Sequence, residues 1–215
     1  GVNDYVDIPD NAALDLLTSY TIEAWVKPAS TNGAQVIIGK IQDVNTGNAA
    51  DLAYALRFNS GVLRAEIGNG SGAQSVATNN LVINKWQHIA MVYDGSNNGN
   101  LSLYIDGVQQ GSTLATGYSS LKNVSTSLKL GSYGAYFPQY YNGLLDNVKI
   151  WNVSKTQSEI ASNMHTELNG DETGLVAYYN FNQGIAGGSN TSITTLNGKT
   201  ATPYNGALTN FAKTG

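Results

Sequence analysis

The chain has 215 residues, a net charge of −4 and no cysteine. Without cysteine it has no disulfide, thiolate metal site or thiol catalysis, and a charged fraction of 12% with no basic stripe argues against nucleic acid as a partner. No apolar run reaches the roughly 18 residues that a membrane helix needs, so we expect no membrane insertion. Gly1 opens directly into a predicted strand with no signal peptide before it. We therefore expect a module joined to other domains of a longer chain.

Short apolar segments alternate with turn residues along the whole chain. Strands are predicted at 5–8, 20–28 and 34–41, followed by a hairpin over 54–67 that turns at Asn59-Ser60-Gly61. Further strands are predicted at 86–95 and 101–111, and within the segments LKLGSY, LLDNVKIW and LVAYYNF. The Asn-Gly and Asp-Gly pairs between them accept positive φ angles and favour tight hairpin turns. This spacing predicts an all-β fold, a two-sheet antiparallel jelly-roll sandwich.

One short helix is predicted near residues 154–164. Ser154 and Gln157 have the spacing of a capping box, and Ile160 and Met164 lie four residues apart, so both would face a sheet. The segment 184–205 is rich in Gly, Ser, Thr and Asn and is typical of a long loop. With no internal repeat, the pattern predicts a single domain over 1–215.

Three segments together resemble the laminin-G-like (concanavalin A-like lectin/glucanase) jelly-roll family of secreted bacterial multidomain proteins. They are YVDIPDNAALDLLTSYTIEAWVKP, WQHIAMVYDGSNNGNLSLYIDGVQQG and YNGLLDNVKIWNVSKTQSEI. Trp25, Trp86 and Trp151 are their most specific residues, and the resemblance covers roughly residues 1–181. It implies two curved sheets, a secreted or cell-surface location, usually no catalysis and often a bound calcium ion. It does not imply a particular ligand.

The residues also give no support for an enzyme. Glucanases of this sandwich carry Glu-x-Asp-x-x-Glu on one strand, and no Glu-x-Asp occurs here. The Gly-x-Ser-x-Gly turn of serine hydrolases is absent as well. We interpret His88, which lies inside a predicted strand, as structural. We interpret His165, at the predicted helix end, as a capping or solvent-facing residue.

Calcium is the cofactor that the resemblance implies, with a structural role. Asp4 stands at the acidic position of the family's opening motif, and Asp146 begins the strand motif that ends in Trp151. If the terminal strands pair as in the family, the two carboxylates could hold one calcium ion together with backbone carbonyls. Asn147 occupies a position where many relatives have a second acid. The alternative is that both aspartates are ordinary turn and capping residues.

Aromatic residues are concentrated in the segment GSYGAYFPQYYNG, residues 131–143. Gly134 and Pro138 predict a loop there. The resemblance implies that Tyr141 is a core residue, because the family has an aromatic at this position that enters the next strand. Exposed rings in a loop can stack on the C–H faces of sugars. The candidate ligand-binding rings are Tyr133, Tyr136, Phe137 and Tyr140. The alternative is that the loop packs down on the edge of the sandwich.

Arg57 is a further candidate ligand-binding residue. Its planar guanidinium could hold a carboxylate or sulfate group of an acidic polysaccharide. The alternative is an ion pair with a neighbour such as Glu66 across the predicted hairpin.

These patterns predict a non-catalytic carbohydrate-binding module that anchors a secreted enzyme or a cell surface to a polysaccharide or other glycan. The alternative is a calcium-stabilised adhesion or protein-interaction domain of a cell-surface protein. A sugar site predicts a concave cleft lined by Tyr and Asn, whereas a protein-binding site predicts a larger exposed apolar patch.

Overall fold

The computed structural model describes residues 3–42, 51–96, 98–133 and 139–212. Strands account for most of the regular structure in these ranges, together with a short 3-10 helix at Ala12–Leu14. The strands are β1 Tyr5–Ile8, β2 Ser19–Pro28, β3 Ala34–Ile41, β4 Leu52–Asn59, β5 Val62–Gly68, β6 Ala73–Thr78, β7 Gln87–Asp94, β8 Asn100–Ile105, β9 Val108–Gln109, β10 Leu114–Ala115, β11 Leu128–Leu130, β12 Gly143–Trp151, β13 Leu175–Tyr179, β14 Thr195–Leu196 and β15 Gly206–Thr209.

The strands form two antiparallel sheets that pack face to face. The larger sheet has eight strands in the order β14-β15-β1-β11-β3-β4-β5-β6. The smaller has seven, in the order β10-β8-β7-β2-β12-β13, with β9 pairing with β8. All pairings between these strands are antiparallel. The predicted two-sheet jelly-roll sandwich is confirmed.

The core lies between the two sheets and follows the alternation of side chains along each strand. In β2, Tyr20, Ile22, Ala24 and Val26 are fully buried in the main cluster. Successive strand residues point to opposite faces, so Glu23 and its neighbours two residues away lie on the outward face of the smaller sheet. The strand is internal, as the apolar groups on both of its faces predict, because it pairs with β7 and β12.

The hairpin of β4 and β5 turns where the sequence predicts. Ser60 and Gly61 have φ values of 51° and 87°, the positive values that a two-residue hairpin turn requires. Asn59 pairs with Val62 on either side of that turn, which fixes the register of the whole hairpin.

A buried ion network joins the larger sheet to the segment before β2. Lys40 is fully buried, and its Nζ donates to Asp10 Oδ1 at 2.7 Å, to Asp15 Oδ1 at 2.5 Å and to the Val124 carbonyl at 2.8 Å. All three N–H bonds of the ammonium group are thus engaged.

The helix α1 spans Gln157–Asn163, within the predicted range. The predicted capping pair was wrong: Thr156 is the N-cap and Glu159 completes the capping box. The preceding residues are held in extended form by the sheet, since Thr21 Oγ1 donates to the Val153 carbonyl and accepts the Lys155 N–H. Ile160 is fully buried against Ala90, Val92 and Tyr104. The helix therefore covers part of the outward face of the smaller sheet.

Several short strands were not predicted. β6 lies at the edge of the larger sheet, and Val76 is its only buried residue. β14 interrupts the predicted loop 184–205, and β15 pairs with β1 beyond it. None of the helices in the described part of the chain has the length and apolar character needed to cross a membrane.

Candidate functional site

Two arginines face each other on the outward side of the larger sheet. Arg57 of β4 is directly opposite Arg64 of β5. Glu66 lies two residues after Arg64, on the same side of the strand. Arg57 donates from Nε to Glu66 Oε2 at 2.6 Å and from Nη2 to Oε1 at 3.2 Å. The ion pair with Glu66 across the hairpin, which the sequence left open as an alternative, is therefore present.

Among the described residues, Arg64 has no such carboxylate partner. Its Nη1 donates to Ser75 Oγ at 3.1 Å, while its Nε is enclosed and makes no hydrogen bond. None of the ion pairs among the described residues includes Arg64. Like charges directly opposite each other destabilise a sheet, and Glu66 compensates only one of these two. One positive charge thus remains here on a chain with a net charge of −4.

Tyr133 and Tyr140 lie along the same sheet as the two arginines. Tyr133 packs on an apolar cluster that includes Val36 and Ala55, and Val36 is opposite Arg57 on the neighbouring strand. Tyr140 forms a bridge with Val36. We call this surface, formed by Arg57, Arg64, Glu66, Tyr133 and Tyr140, the arginine face.

The arginine face unites three of the five predicted ligand-binding residues: Arg57, Tyr133 and Tyr140. Both tyrosines are half-buried, and the Tyr140 ring stacks on Tyr5 at a centroid distance of 6.2 Å. Their rings are therefore held by packing rather than projecting freely from a loop. Tyr136 and Phe137 lie outside the described residues. Tyr141 packs on the core beside Phe58, as predicted.

Asp4 and Asp146 lie at different cavities. Asp4 lines a cavity of about 340 Å³ with Val6, Leu130 and Phe211. Asp146 lines another, of about 430 Å³, on the smaller sheet. The two carboxylates therefore do not line a common cavity. Among the described residues there is no group of three His, Cys, Asp or Glu side chains that could hold a metal ion.

The cavity beside Asp146 has both aromatic and polar walls. Trp25 comes from β2, Trp86 from the residue just before β7, and Asp146 and Asn147 from β12. Glu167, from the segment after α1, completes the acidic side. We call this site the tryptophan cavity.

A bulge in β12 shapes the tryptophan cavity. The register shifts between Asp146 and Lys149, and Asn147 has a φ of 48°. Tyr178 holds Asn147 in this conformation by donating from its hydroxyl to Asn147 Oδ1 at 2.8 Å. Bulges and left-handed residues other than glycine are often found next to functional sites, where they redirect a side chain.

The carboxylates on the acidic side of this cavity repel each other. Burial raises the pKa of Asp146, and the charge of Glu167 raises it further, while a hydrogen bond from the Asn147 N–H at 2.8 Å partly offsets both effects. Glu167 Oε1 accepts from Asn180 Nδ2 at 3.0 Å.

Buried polar groups behind the cavity have a structural role. Glu23 is fully buried, and its Oε1 accepts from Trp151 Nε1 at 2.7 Å. His88 Nε2 lies 3.2 Å from Glu23 Oε2. Burial alone would raise the pKa of Glu23, but the contact with His88, the charge of Lys149 and the Trp151 N–H outweigh it and lower that pKa. Since both His88 and Glu23 are inaccessible, His88 is structural, as we interpreted it.

Comparison with known proteins identifies the family. The model of a laminin-G family of the Concanavalin A-like lectin/glucanases superfamily matches residues 1–161. The chain belongs to this family. A search of curated proteins found no match to this sequence.

Solved structures share the fold of this superfamily domain. A Bacteroides ovatus protein, provisionally designated as carbohydrate-binding, is 20% identical with a TM-score of 0.72, and the match covers 98% of the chain and 57% of that protein. The Ruminococcus gnavus sialidase CBM40 bound to α2,3 sialyllactose is 16% identical with a TM-score of 0.61, and the match covers 70% of the chain and 84% of that domain. A pentraxin of Limulus polyphemus is 14% identical with a TM-score of 0.53, and the match covers 74% of the chain and 81% of the pentraxin chain. At these identities the likeness shows the fold alone.

Proposed function

We propose that this domain binds glycans that carry a carboxylate or sulfate group, and that it does so on the arginine face. The observation that carries the proposal is Arg64: a guanidinium without a carboxylate partner, opposite a second arginine, on an acidic protein. A guanidinium presents its N–H groups in a planar fork that matches a carboxylate. An acidic ligand would bind the outer N–H groups of the Arg64 guanidinium and offset the repulsion between the two arginines.

The tyrosines supply the contact with the sugar ring. A tyrosine ring offers a flat apolar face and a hydroxyl that can hydrogen-bond, and it loses little rotamer entropy on binding. Tyr133 and Tyr140 are already fixed by packing on Val36 and Tyr5. A ligand would therefore meet a largely preorganised surface, which lowers the entropic cost of binding.

The comparisons support binding rather than catalysis. The CBM40 neighbour is bound to sialyllactose, whose sialic acid unit carries a carboxylate, and the Bacteroides ovatus neighbour is designated as carbohydrate-binding. We infer by analogy that this domain is non-catalytic and works outside the cell. Its role would be to anchor a secreted enzyme or a cell surface to an acidic glycan. From so small a contact we expect dissociation constants of about 1 μM to 1 mM.

Calorimetric titration with 3′-sialyllactose and with lactose tests the proposal. The two sugars differ by the acidic unit, so we expect sialyllactose to bind about tenfold or more tightly, as one charge-assisted hydrogen bond allows. Arg64→Gln should remove that preference. Lys129→Gln is the control, because Lys129 lies on the same sheet but is paired with Asp7 at 3.1 Å. Equal affinities for the two sugars, or full binding by Arg64→Gln, would overturn the proposal.

One observation favours the adhesion alternative. Val82, Ile83 and Trp86 are 51%, 50% and 39% exposed within one short connection between β6 and β7. Exposed apolar groups close together are typical of protein-binding surfaces. If the domain binds no acidic or neutral glycan, and a Val82→Ser, Ile83→Ser double variant abolishes attachment to cells, adhesion becomes the better assignment.

A further inference from the structure

We propose that the tryptophan cavity is a second binding site, separate from the arginine face, and that it takes a sugar bearing a free, protonated amine. The cavity measures about 430 Å³, within the range of small-ligand sites. It belongs to the opposite sheet from the arginine face. The inference does not depend on the function proposed for Arg64.

Charge is the first argument for an amine. Asp146 and Glu167 both line the cavity, the other titratable residue in its lining is His165, and no lysine or arginine lines it. Lys149, the cation buried beneath, already donates to the carbonyls of Asn163 and Thr166, each at 3.0 Å. Repulsion between the two carboxylates contributes to the raised pKa of Asp146. A protonated amine relieves that repulsion, whereas a carboxylated ligand would add to it.

Hydrogen bonding is the second argument. Asp146 Oδ1 accepts the Asn147 N–H, and Glu167 Oε1 accepts the amides of Asn180 and Asn182 at 3.0 and 3.4 Å. The second oxygen of each carboxylate makes no hydrogen bond to the described residues. The cavity therefore offers charged acceptors and needs donors. An ammonium group supplies three N–H donors and no acceptor.

The aromatic walls select the rest of the ligand. Trp25 is fixed, because its Nε1 donates to the Met164 carbonyl at 2.8 Å and its ring contacts His88 and His165. Trp86 is 39% exposed, so part of its indole is accessible to a ligand. A tryptophan face attracts both a cation and the C–H groups of a sugar ring. A deacetylated amino sugar combines these two features.

Three disaccharides of similar shape test the inference: the glucosamine dimer, N,N′-diacetylchitobiose and cellobiose. Titrations at about pH 6 keep a free amine of this kind protonated. We expect the glucosamine dimer to bind about tenfold or more tightly than the other two. Glu167→Gln should weaken its binding by about tenfold, the loss expected for one charged hydrogen bond. Trp86→Ala should weaken it by about fivefold to tenfold, the loss expected for a cation–π contact.

Each variant is also tested with the ligand of the other site, which separates this site from the arginine face. Arg64→Gln should leave the binding of the glucosamine dimer unchanged, and Glu167→Gln should leave the binding of sialyllactose unchanged. Glu167 is exposed, so its replacement should not impair folding. Equal binding of all three disaccharides would show a neutral-sugar cleft and overturn the amine assignment. Absence of binding to the glucosamine dimer would overturn the site itself.

Discussion

Replacing Lys40 by methionine should destabilise the fold strongly. The side chain is fully buried, and its Nζ binds Asp10, Asp15 and the Val124 carbonyl. Methionine fills a similar volume but carries no charge. It therefore leaves the Asp15 carboxylate, whose side chain is only 11% exposed, without its cation. Removing one partner of a buried ion pair costs about 3 to 5 kcal/mol of unfolding free energy. In a chain of this length, that corresponds to a fall in Tm of about 6 to 20 °C.

Urea unfolding of Lys40→Met and Lys129→Met measures this difference. The Lys129 side chain is 11% exposed, but its partner Asp7 is 38% exposed and stays solvated when the lysine is replaced, so this pair should contribute only about 1 kcal/mol. We therefore expect the Lys40 variant to lose at least three times as much unfolding free energy as the Lys129 variant. Similar losses in both variants would refute the view that the buried network anchors the segment before β2.

Three further predictions concern pH, the helix and calcium. The lowered pKa of Glu23 contributes stability that is present above the unfolded-state pKa and is lost as pH falls through the folded-state value. Glu23→Gln should therefore flatten the unfolding free energy between about pH 5 and pH 3, and an unchanged slope would assign the acid sensitivity elsewhere. Thr156→Ala should lower the unfolding free energy measured in urea by about 1 kcal/mol, and Ser154→Ala should leave it almost unchanged. The reverse order would show that Ser154 is the N-cap, as the sequence predicted. Calcium binding stays a prediction. Because Asp4 and Asp146 line separate cavities, we expect only one of the variants Asp4→Asn and Asp146→Asn to lose a calcium-dependent rise in Tm. Loss of that rise in both variants would indicate that the two carboxylates share one ion.

Local patterns were sufficient for the central strands but not for the edges. The alternation in β2 predicts an internal strand, because each face of such a strand must meet apolar neighbours. β6 and β14 carry almost no apolar alternation, so their conformation depends on the strands beside them. The choice between Ser154 and Thr156 as N-cap was likewise settled by a distant contact, the bonds of Thr21 to Val153 and Lys155.

The two candidate sites differ in how far sequence could predict them. The sequence predicted the turn as Asn59-Ser60-Gly61, whereas Asn59 pairs with Val62 and only Ser60 and Gly61 lie between the strands. This two-residue turn sets the register that places Arg57 opposite Arg64, and Arg64 was missed from the sequence for that reason. The tryptophan cavity offered no comparable signal. Its walls come from segments more than a hundred residues apart, and only the fold brings Trp25 to Asp146.

If Arg64 holds the acidic group of a glycan, its guanidinium should respond directly to the sugar. An NMR titration with 3′-sialyllactose follows the signal of the Arg64 Nε–H, which is assigned by its loss in Arg64→Gln. We expect this signal to shift as the sugar saturates the protein and to stay in place with lactose. The Arg57 signal should move less, because Glu66 already holds that side chain. Saturable binding of sialyllactose with an unmoved Arg64 signal would show that the acidic group binds elsewhere.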